Sequence, residues 1–328
     1  MKFISIFNDL LGPVMRGPSS SHTAGAYRIG KIARSSLKPA KTKGIKIDFC
    51  VSEIENADHT NTIRIQMTSR SEKKLLLLAK STGGGNVVFT QIDEWPVEIM
   101  GKSYEFLIQT DANTESQICE LLNSGGYVID QPIRQKRRDE VLLHFKRAFP
   151  LATEAQVHID KLPGVKEFWM VSPVFYVKRG EELFSNTEQM IKAAENRNCS
   201  LGKIAMAYEA RLLGLPEKEI LQEMLRRFEL MRASVYDGLH DSNVQMHLLK
   251  PSARRIFNSE EKGAVAIGGI HTRAAARSMA VMHICNSKGI VCAAPTGGSA
   301  GVLPGDEVVD ASYAVGKTLP GELSGISW

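Results

Sequence analysis

The chain has 328 residues, with 41 Lys and Arg against 36 Asp and Glu and a formal net charge of +5. A hydrophobic fraction of 43% and a charged fraction of 23% are typical of a globular protein with its own core, and this length predicts two or three domains. No apolar run is long enough for a membrane span and no signal-peptide pattern opens the chain, so we expect a cytoplasmic protein.

Neither the cysteines nor the basic residues form a site by spacing alone. The five cysteines are scattered without a Cys-x-x-Cys pair, which argues against a disulfide framework and against a self-contained zinc site: Cys50, Cys119, Cys199, Cys285 and Cys292. One basic cluster is interpreted as a solvated loop or strand end, so no nucleic-acid partner is expected: Arg134, Lys136, Arg137 and Arg138.

The first element in chain order is a hydroxyl-rich turn before a helix predicted at 27–34. It reads Gly17-Pro18-Ser19-Ser20-Ser21-His22-Thr23-Ala24-Gly25. Gly-Pro favours a turn, and Ser and Thr favour helix N-caps, where backbone N–H groups attract anions. The alternative is a capped surface helix, but capping needs only one hydroxyl. We therefore interpret the turn as a carboxylate site with one titratable imidazole.

Residues 1–100 are predicted to mix short helices and strands. Segments 45–51 and 62–68 alternate apolar and polar residues, as half-buried strands do. A Gly-Gly-Gly turn at 83–85 precedes another predicted strand at 87–89.

Residues 104–178 are predicted to follow a strand-helix-strand-strand-helix-strand order. The strands are expected at 105–109, 128–133, 140–146 and 166–177, and the helices at 114–122 and 153–162. This order is typical of a ferredoxin-like fold. The module is read either as a sensor of small molecules or as a spacer that binds nothing.

From about residue 184 the apolar pattern has helical period. Helices are predicted at 187–195, 200–213, 216–236 and 264–286. A Gly-rich turn follows the last of them, Pro295-Thr296-Gly297-Gly298-Ser299. Its glycines let the backbone approach a ligand, and Thr296 and Ser299 can donate hydrogen bonds to a carboxylate.

Four ordered motifs resemble the iron–sulfur-dependent bacterial L-serine dehydratases. They are the GPSSSHT stretch at 17–23, the ENADHTNT stretch at 55–62, the STGGG stretch at 81–85 and the CAAPTGGSAG stretch at 292–301. The resemblance implies an α+β multidomain protein with beta-type and alpha-type regions fused. Its domains would be an α/β serine-dehydratase beta domain at 1–100, an ACT-like ferredoxin fold at 104–178 and an all-α alpha-type domain at 184–328.

The resemblance also implies an activity, an amino-acid-catabolic and gluconeogenic lyase that deaminates L-serine to pyruvate and ammonia. The implied cofactor is a [4Fe-4S] cluster acting as Lewis acid, with Cys292 as metal ligand, and the implied assembly is a homodimer without membrane association. His22 and His59 are the candidate base and orienting group. The expected substrate contacts are Ser19, Ser20, Ser21, Thr23, Asn61, Thr62, Thr296, Gly298 and Ser299.

The chain departs from the family pattern in two places. The Gly-His-Gly-Thr-Asp motif expected before the 45–51 segment is absent, and residues 306–328 contain none of the further cluster cysteines. We therefore expect a chain that lacks an internal segment and the carboxyl-terminal region of the family, and that holds no intact cluster. Two alternatives stay open, a pyridoxal-phosphate dehydratase using the Gly297-Gly298-Ser299 turn and a non-catalytic, amino-acid-sensing ACT-type protein.

Overall fold

The computed structural model of the chain describes residues 3–36, 46, 48–51, 53–54, 57–68, 72, 74–127, 131–240, 244–246 and 249–305. Helices and strands are interspersed, so the fold is mixed α+β, as predicted. The strands are β1 (Val14–Arg16), β2 (Thr62–Thr68), β3 (Lys74–Gly83), β4 (Asn86–Ile92), β5 (Trp95–Ile99), β6 (Tyr104–Asp111), β7 (Ile133–Arg137), β8 (Glu140–Arg147), β9 (Val165–Val171) and β10 (Ile290–Cys292). The helices are α1 (Ala26–Ser35), α2 (Glu115–Ser124), α3 (Thr153–Asp160), α4 (Thr187–Asn196), α5 (Leu201–Leu213), α6 (Glu217–His240), α7 (Ala253–Glu261) and α8 (Ile270–Asn286).

The chain divides into two compact units that do not follow sequence order. The helical unit comprises Met1–Ala24, Glu182–Ala210 and Leu215–Trp328, and the sheet unit comprises Gly25–Glu181 and Arg211–Gly214. The amino-terminal segment therefore belongs with the helices, although strands follow it in sequence. The three domains expected at 1–100, 104–178 and 184–328 stay a prediction.

The sheet unit contains two antiparallel sheets. The first has the order β2-β3-β4-β5 and the second the order β7-β8-β6-β9. The second sheet and helices α2 and α3 have the strand-helix-strand-strand-helix-strand order of a split βαβ arrangement. One face of this sheet packs on α2 and α3 through Phe106 and Ile108, and the other shares a core with α1 and the first sheet through Leu107 and Trp169. That this module is ACT-like stays a prediction.

Four predicted elements of the sequence analysis differ from the structure, the first being the strand expected at 166–177, which ends at Val171. The strand expected at 45–51 is wrong at the described residues 46 and 48–51, where Phe49 and Val51 are exposed and no neighbouring face covers them. The strand expected at 128–133 lies at Ile133–Arg137 instead, after Pro132, whose ring nitrogen cannot donate to a strand ladder; residues 128–130 lie outside the described part. The helix expected to begin at 264 begins at Ile270, directly after Gly269 with a φ of 89°.

The core of the helical unit lies between α6, α8 and the ribbon formed by β1 and β10. Gly238 of α6 lies against the backbone of α8, because a Cβ there would be 2.2 Å from the Ala280 carbonyl oxygen. Strands β1 and β10 pair antiparallel with Met15 opposite Val291 and Arg16 opposite Ile290. This pairing fixes the residues that follow β1 beside those that flank β10. No helix in the described ranges is both long and apolar enough to traverse a lipid bilayer.

Residues 4–7 are attached to the helical unit by buried hydrogen bonds. The Glu209 carboxylate on α5 accepts hydrogen bonds from Ser5 Oγ at 2.6 Å, Ile6 N at 2.8 Å and Phe7 N at 3.2 Å. Tyr208 Oη donates to the Ile4 carbonyl at 2.9 Å, and Arg227 Nη1 on α6 donates to the Phe7 carbonyl at 3.0 Å. These contacts explain why the amino-terminal segment belongs to the helical unit.

Candidate functional site

The hydroxyl-rich turn after β1 holds an imidazole beside a serine hydroxyl. Ser19 Oγ lies 2.7 Å from His22 Nδ1, and His22 is exposed to solvent. Thr23 Oγ1 lies 2.8 Å from both the Arg16 and the Ser19 carbonyl oxygens, so this hydroxyl closes the turn. Ser20 is buried and Ser21 is half-buried. The turn therefore presents His22 and Ser19 to solvent, with Thr23 as internal support.

The predicted N-cap role of these hydroxyls at the following helix is wrong. A short π-helical turn, Ser21–Gly25, separates them from α1, which begins at Ala26 without a side-chain cap. Ser19 Oγ instead accepts the His22 N–H at 3.4 Å within the turn itself. Sequence periodicity could not distinguish the added π-helical turn from the first turn of the α-helix.

The Gly-rich turn after β10 is also organised by hydroxyls. Thr296 Oγ1 and Ser299 Oγ are 2.9 Å apart, and Ser299 Oγ donates to the Ala294 carbonyl at 2.7 Å. Thr296 and Gly298 are exposed, and Ser299 is half-buried. The two hydroxyls expected to bind a carboxylate thus lie together at the surface of the turn.

The structure places these two turns side by side in the helical unit. A Cβ on Gly297 would be 2.7 Å from the Pro18 carbonyl oxygen and 2.7 Å from Met15 Cε. Cys285 Sγ on α8 lies 3.7 Å from the Gly297 carbonyl oxygen and 3.9 Å from that of Pro18. A Cβ on Gly17 would be 2.5 Å from the same sulfur. Cys285 is therefore buried at the seam between the turns, in the packing role predicted for it.

Replacing Gly297 with alanine is expected to destabilise the protein and disturb the seam, because the added methyl group has no space. Overpacking of this kind costs about 1–3 kcal/mol in free energy of unfolding. Gly298→Ala is the matched control, since its nearest contact, Thr296 Oγ1, would be 3.8 Å away. Urea unfolding followed by circular dichroism measures both variants. Equal stabilities for the two would show that the turns are not in contact at Gly297.

The second predicted histidine lies in the sheet unit, at the turn that leads into β2. His59 Nδ1 accepts the Asn61 N–H at 3.0 Å, and Thr62 Oγ1 donates to the His59 carbonyl at 2.6 Å. Beside them, the hydrogen bond from Lys80 lowers the pKa of the exposed Asp58 carboxyl. His59, Asn61 and Thr62 are thus engaged with one another; Glu55 and Asn56 of the same motif lie outside the described residues.

The described residues do not fit a [4Fe-4S] cluster. Such a cluster needs at least three thiolates, and no group of three His, Cys, Asp or Glu residues gathers in the described part of the chain. Cys50 is exposed in the sheet unit, Cys119 lies on α2, and Cys199 precedes α5. Cys292 is 1% exposed at the end of β10, and burial raises the pKa of its thiol, as it does for Cys285.

A charged group near Cys292 was not anticipated from the sequence. Burial acts to raise the pKa of Glu223 on α6, but hydrogen bonds from Arg226 and Arg227 outweigh it and lower the pKa to about 2. Burial raises the pKa of the Cys292 thiol, and the positive charges of the two arginines act against this with a smaller effect, because they favour the thiolate. The signal was present in the sequence, since Glu223 and Arg227 are four residues apart on a helix.

A second buried titratable group, His283 on α8, predicts a pH dependence of stability. Its side chain is 5% exposed, and burial lowers the pKa of the imidazole. The unfolded imidazole takes up a proton near pH 6.5 whereas the folded one resists it, so stability falls as pH drops below that value.

We expect the urea midpoint to decrease between pH 7.5 and 5.5, and to decrease less in His283→Leu. The control is His271→Leu, which replaces an exposed histidine of the same helix. The same pH dependence in His283→Leu as in the parent chain would contradict this assignment.

Comparison with known proteins gives matches along both parts of the chain. A family model described as serine dehydratase alpha chain matches residues 172–318. The probable L-serine dehydratase beta chain of Bacillus subtilis (strain 168) is 30% identical over 154 residues, covering 33% of this chain and 69% of the relative. The probable L-serine dehydratase alpha chain of the same organism is 26% identical over 123 residues, covering 38% of this chain.

The coverage of these relatives is uneven. This chain spans 41% of the length of the Bacillus subtilis alpha chain. The L-serine dehydratase beta chain of Peptoniphilus asaccharolyticus is 21% identical over 178 residues, and 80% of its length is covered. Since separate beta and alpha chains both match here, and the Bacillus beta chain does so over more than two thirds of its length, this chain belongs to the bacterial L-serine dehydratase family, with beta-type and alpha-type regions fused.

Proposed function

We infer that this chain binds L-serine at the two adjoining turns of the helical unit, and that its residues serve substrate binding and proton acceptance in the deamination of serine to pyruvate and ammonia. The observation that carries the proposal is the contact of the turns at Pro18 and Gly297, which brings the exposed His22 and Thr296 and the half-buried Ser19 and Ser299 into one unit. This chain spans less than half of the Bacillus subtilis alpha chain, so the complete reaction belongs to the proposal.

The hydroxyls and backbone N–H groups of the turns anchor the substrate carboxylate. Thr296 Oγ1 lies 2.9 Å from Ser299 Oγ, and a carboxylate can accept from the Thr296 hydroxyl in place of Ser299. It can also accept from Ser299 once that hydroxyl turns away from the Ala294 carbonyl. Ser19, Ser21 and Gly298 complete the proposed substrate surface, and Ser20 and Thr23 support it from within the turn.

His22 accepts the α-proton of serine. In the tautomer with Nδ1 protonated, Nδ1 donates to Ser19 Oγ at 2.7 Å, and the Nε2 lone pair accepts the proton. Loss of the α-proton and the β-hydroxyl as water leaves an enamine, which tautomerises and is hydrolysed to pyruvate and ammonia. His59, with Asn61 and Thr62, is the alternative base, and Nδ1 of His59 is already an acceptor from the Asn61 N–H.

A [4Fe-4S] cluster, which the family resemblance implies, would supply a Lewis acid for the leaving hydroxyl. Cys292 is the ligand that the resemblance implies, but it is buried without two further thiols beside it in the described residues. Substrate binding and proton acceptance are therefore the parts of the reaction that the residues of this chain support. Homodimerisation stays a prediction.

Titration calorimetry of the full chain with L-serine tests the proposal. We expect saturable binding to the parent chain. In Ser19→Ala and Thr296→Val the dissociation constant should be at least tenfold larger, a loss of about 1.4 kcal/mol in binding free energy. Ser185→Ala is the control, since Ser185 hydrogen-bonds Gln189 beside α4. Absence of saturable binding to the parent chain, or equal dissociation constants in the variants, would refute the proposed site.

A further inference from the structure

A cavity of about 590 Å³ lies in the helical unit apart from the two turns. One wall is a face of α6 formed by residues three and four positions apart, among them Leu230, Ser234 and Asp237. A second wall comes from the end of α8 and the ribbon, among them Arg16 and Lys288. None of Ser19–Ser21, His22, Thr296 or Ser299 lines it. Its volume is within the range of small-molecule sites.

The positive side of the cavity is fixed by the ribbon. Arg16 lies opposite Ile290 in the β1–β10 pairing, and its Nη1 donates to the Lys288 carbonyl at 3.2 Å. Gly17 N donates to the Gly289 carbonyl at 3.0 Å, which closes the pairing beyond Arg16. Two cationic side chains therefore line the same wall, and a guanidinium with remaining N–H donors suits a carboxylate.

The α6 wall carries the complementary groups. Asp237 is exposed at the cavity, and Ser234 is 3% exposed with its hydroxyl donating to the Met231 carbonyl at 2.7 Å. A carboxylate and a serine oxygen that still has lone pairs are acceptors for an ammonium group. The rest of the lining includes the apolar side chains of Leu230, Ile284 and Ile290 beside the polar Gln245 and Ser287.

We propose that this cavity binds an α-amino acid with an aliphatic side chain, as a second ligand site separate from the serine site. The carboxylate lies at Arg16 and Lys288, the ammonium at Asp237, and the side chain on the apolar lining. A ligand needs both its carboxylate and its ammonium group to bind, because each wall of the cavity carries the charge that complements only one of them.

Calorimetry of the full chain with L-leucine tests this site. We expect saturable binding, and at least tenfold weaker binding of 4-methylpentanoate, which lacks the ammonium, and of isopentylamine, which lacks the carboxylate. Asp237→Asn is expected to weaken L-leucine at least tenfold while leaving 4-methylpentanoate unchanged. Arg16→Met is expected to weaken L-leucine and leave isopentylamine unchanged. Circular dichroism and the urea midpoint show that each variant is folded.

The two sites are separated by crossing variants and ligands. Ser19→Ala should leave L-leucine binding unchanged, and Asp237→Asn should leave L-serine binding unchanged. Loss of L-leucine binding in Ser19→Ala with retention in Asp237→Asn would overturn the proposal, because L-leucine would then occupy the serine site. No saturable L-leucine binding to the parent chain would overturn it as well, whatever the result with L-serine.

Discussion

Anaerobic reconstitution with iron and sulfide is expected to leave this chain with far fewer than the roughly four irons of an intact [4Fe-4S] cluster, and with no pyruvate formed from L-serine. The reason is the placement of the thiols. Cys50 and Cys119 lie in the sheet unit, and burial raises the pKa of the Cys285 and Cys292 thiols in the helical unit. A cysteine binds metal as its thiolate, and a raised pKa disfavours the thiolate, so burial opposes metal binding at both positions.

The measurement pairs iron and sulfide analysis with a lactate-dehydrogenase-coupled assay for pyruvate. A bacterial ferredoxin reconstituted in parallel shows that the procedure assembles clusters. Cys292→Ser should leave the low iron content unchanged if Cys292 is not a ligand in this chain. About four irons per chain with serine-dependent pyruvate, both lost in Cys285→Ser or Cys292→Ser, would contradict the prediction and identify those thiols as ligands.

The expected low iron content does not conflict with the proposed binding of L-serine. The two turns meet at Pro18 and Gly297 without any thiolate taking part, and Cys285 fills the seam as a buried neutral group. The proposed binding of L-serine at the turns therefore does not depend on a cluster. Binding measured without turnover would place the deficit at the elimination of water.

Local pattern predicted several elements in which one face is buried and the other is solvated, but not strands β3 and β5 or helix α7. Strand β2 was predicted at its observed bounds from alternation, and helix α6 from its apolar row. The same rule failed at 45–51, where the alternation is present but Phe49 is exposed. Alternating apolar and polar residues show that a segment could form a half-buried strand. Whether it is buried depends on another element that packs against it, and the sequence of the segment does not specify that element.

Edge position explains the displaced strand β7. Its residues are mostly charged and exposed, and Arg134 pairs with Glu115 of α2 at 2.5 Å. Only β8 lies beside it in the sheet, so an apolar alternation was not needed. The sequence therefore indicated a solvated basic cluster where the structure has a strand.

The sequence indicated which residues could form the candidate site, but not which of them contact each other. The hydroxyl turn, His22 and the Gly-rich turn were identified by composition, because few structural roles need three adjacent hydroxyls. Their contact depends on the pairing of Val14 with Cys292, which are separated by most of the chain. Likewise, the burial of Glu209 against residues 5–7 joins positions about 200 apart, and no local pattern specifies such a pair.

Glu209→Ala is expected to cause the largest loss of stability of any single substitution considered. Glu209 is fully buried, and its carboxylate accepts hydrogen bonds from one hydroxyl and two backbone N–H groups. Each buried donor left without an acceptor costs about 1–3 kcal/mol, so the loss in free energy of unfolding is expected to be roughly 3 kcal/mol or more. The two N–H groups open the short π-helical turn Ile6–Leu10, where a negative charge is additionally favourable.

The loss should be localised as well as large. Urea unfolding by circular dichroism gives the stability, and amide hydrogen exchange is expected to increase at residues 5–9 before it increases in α6 and α8. Glu229→Ala is the control, since Glu229 is exposed on α6 and lies 3.6 Å from Arg232 in a surface ion pair of small energetic value. Glu209→Gln should fall between the two, because the amide retains one acceptor oxygen but places an NH₂ against a donor. A Glu209→Ala variant as stable as Glu229→Ala would show that residues 5–7 do not need this carboxylate to stay attached to the helical unit.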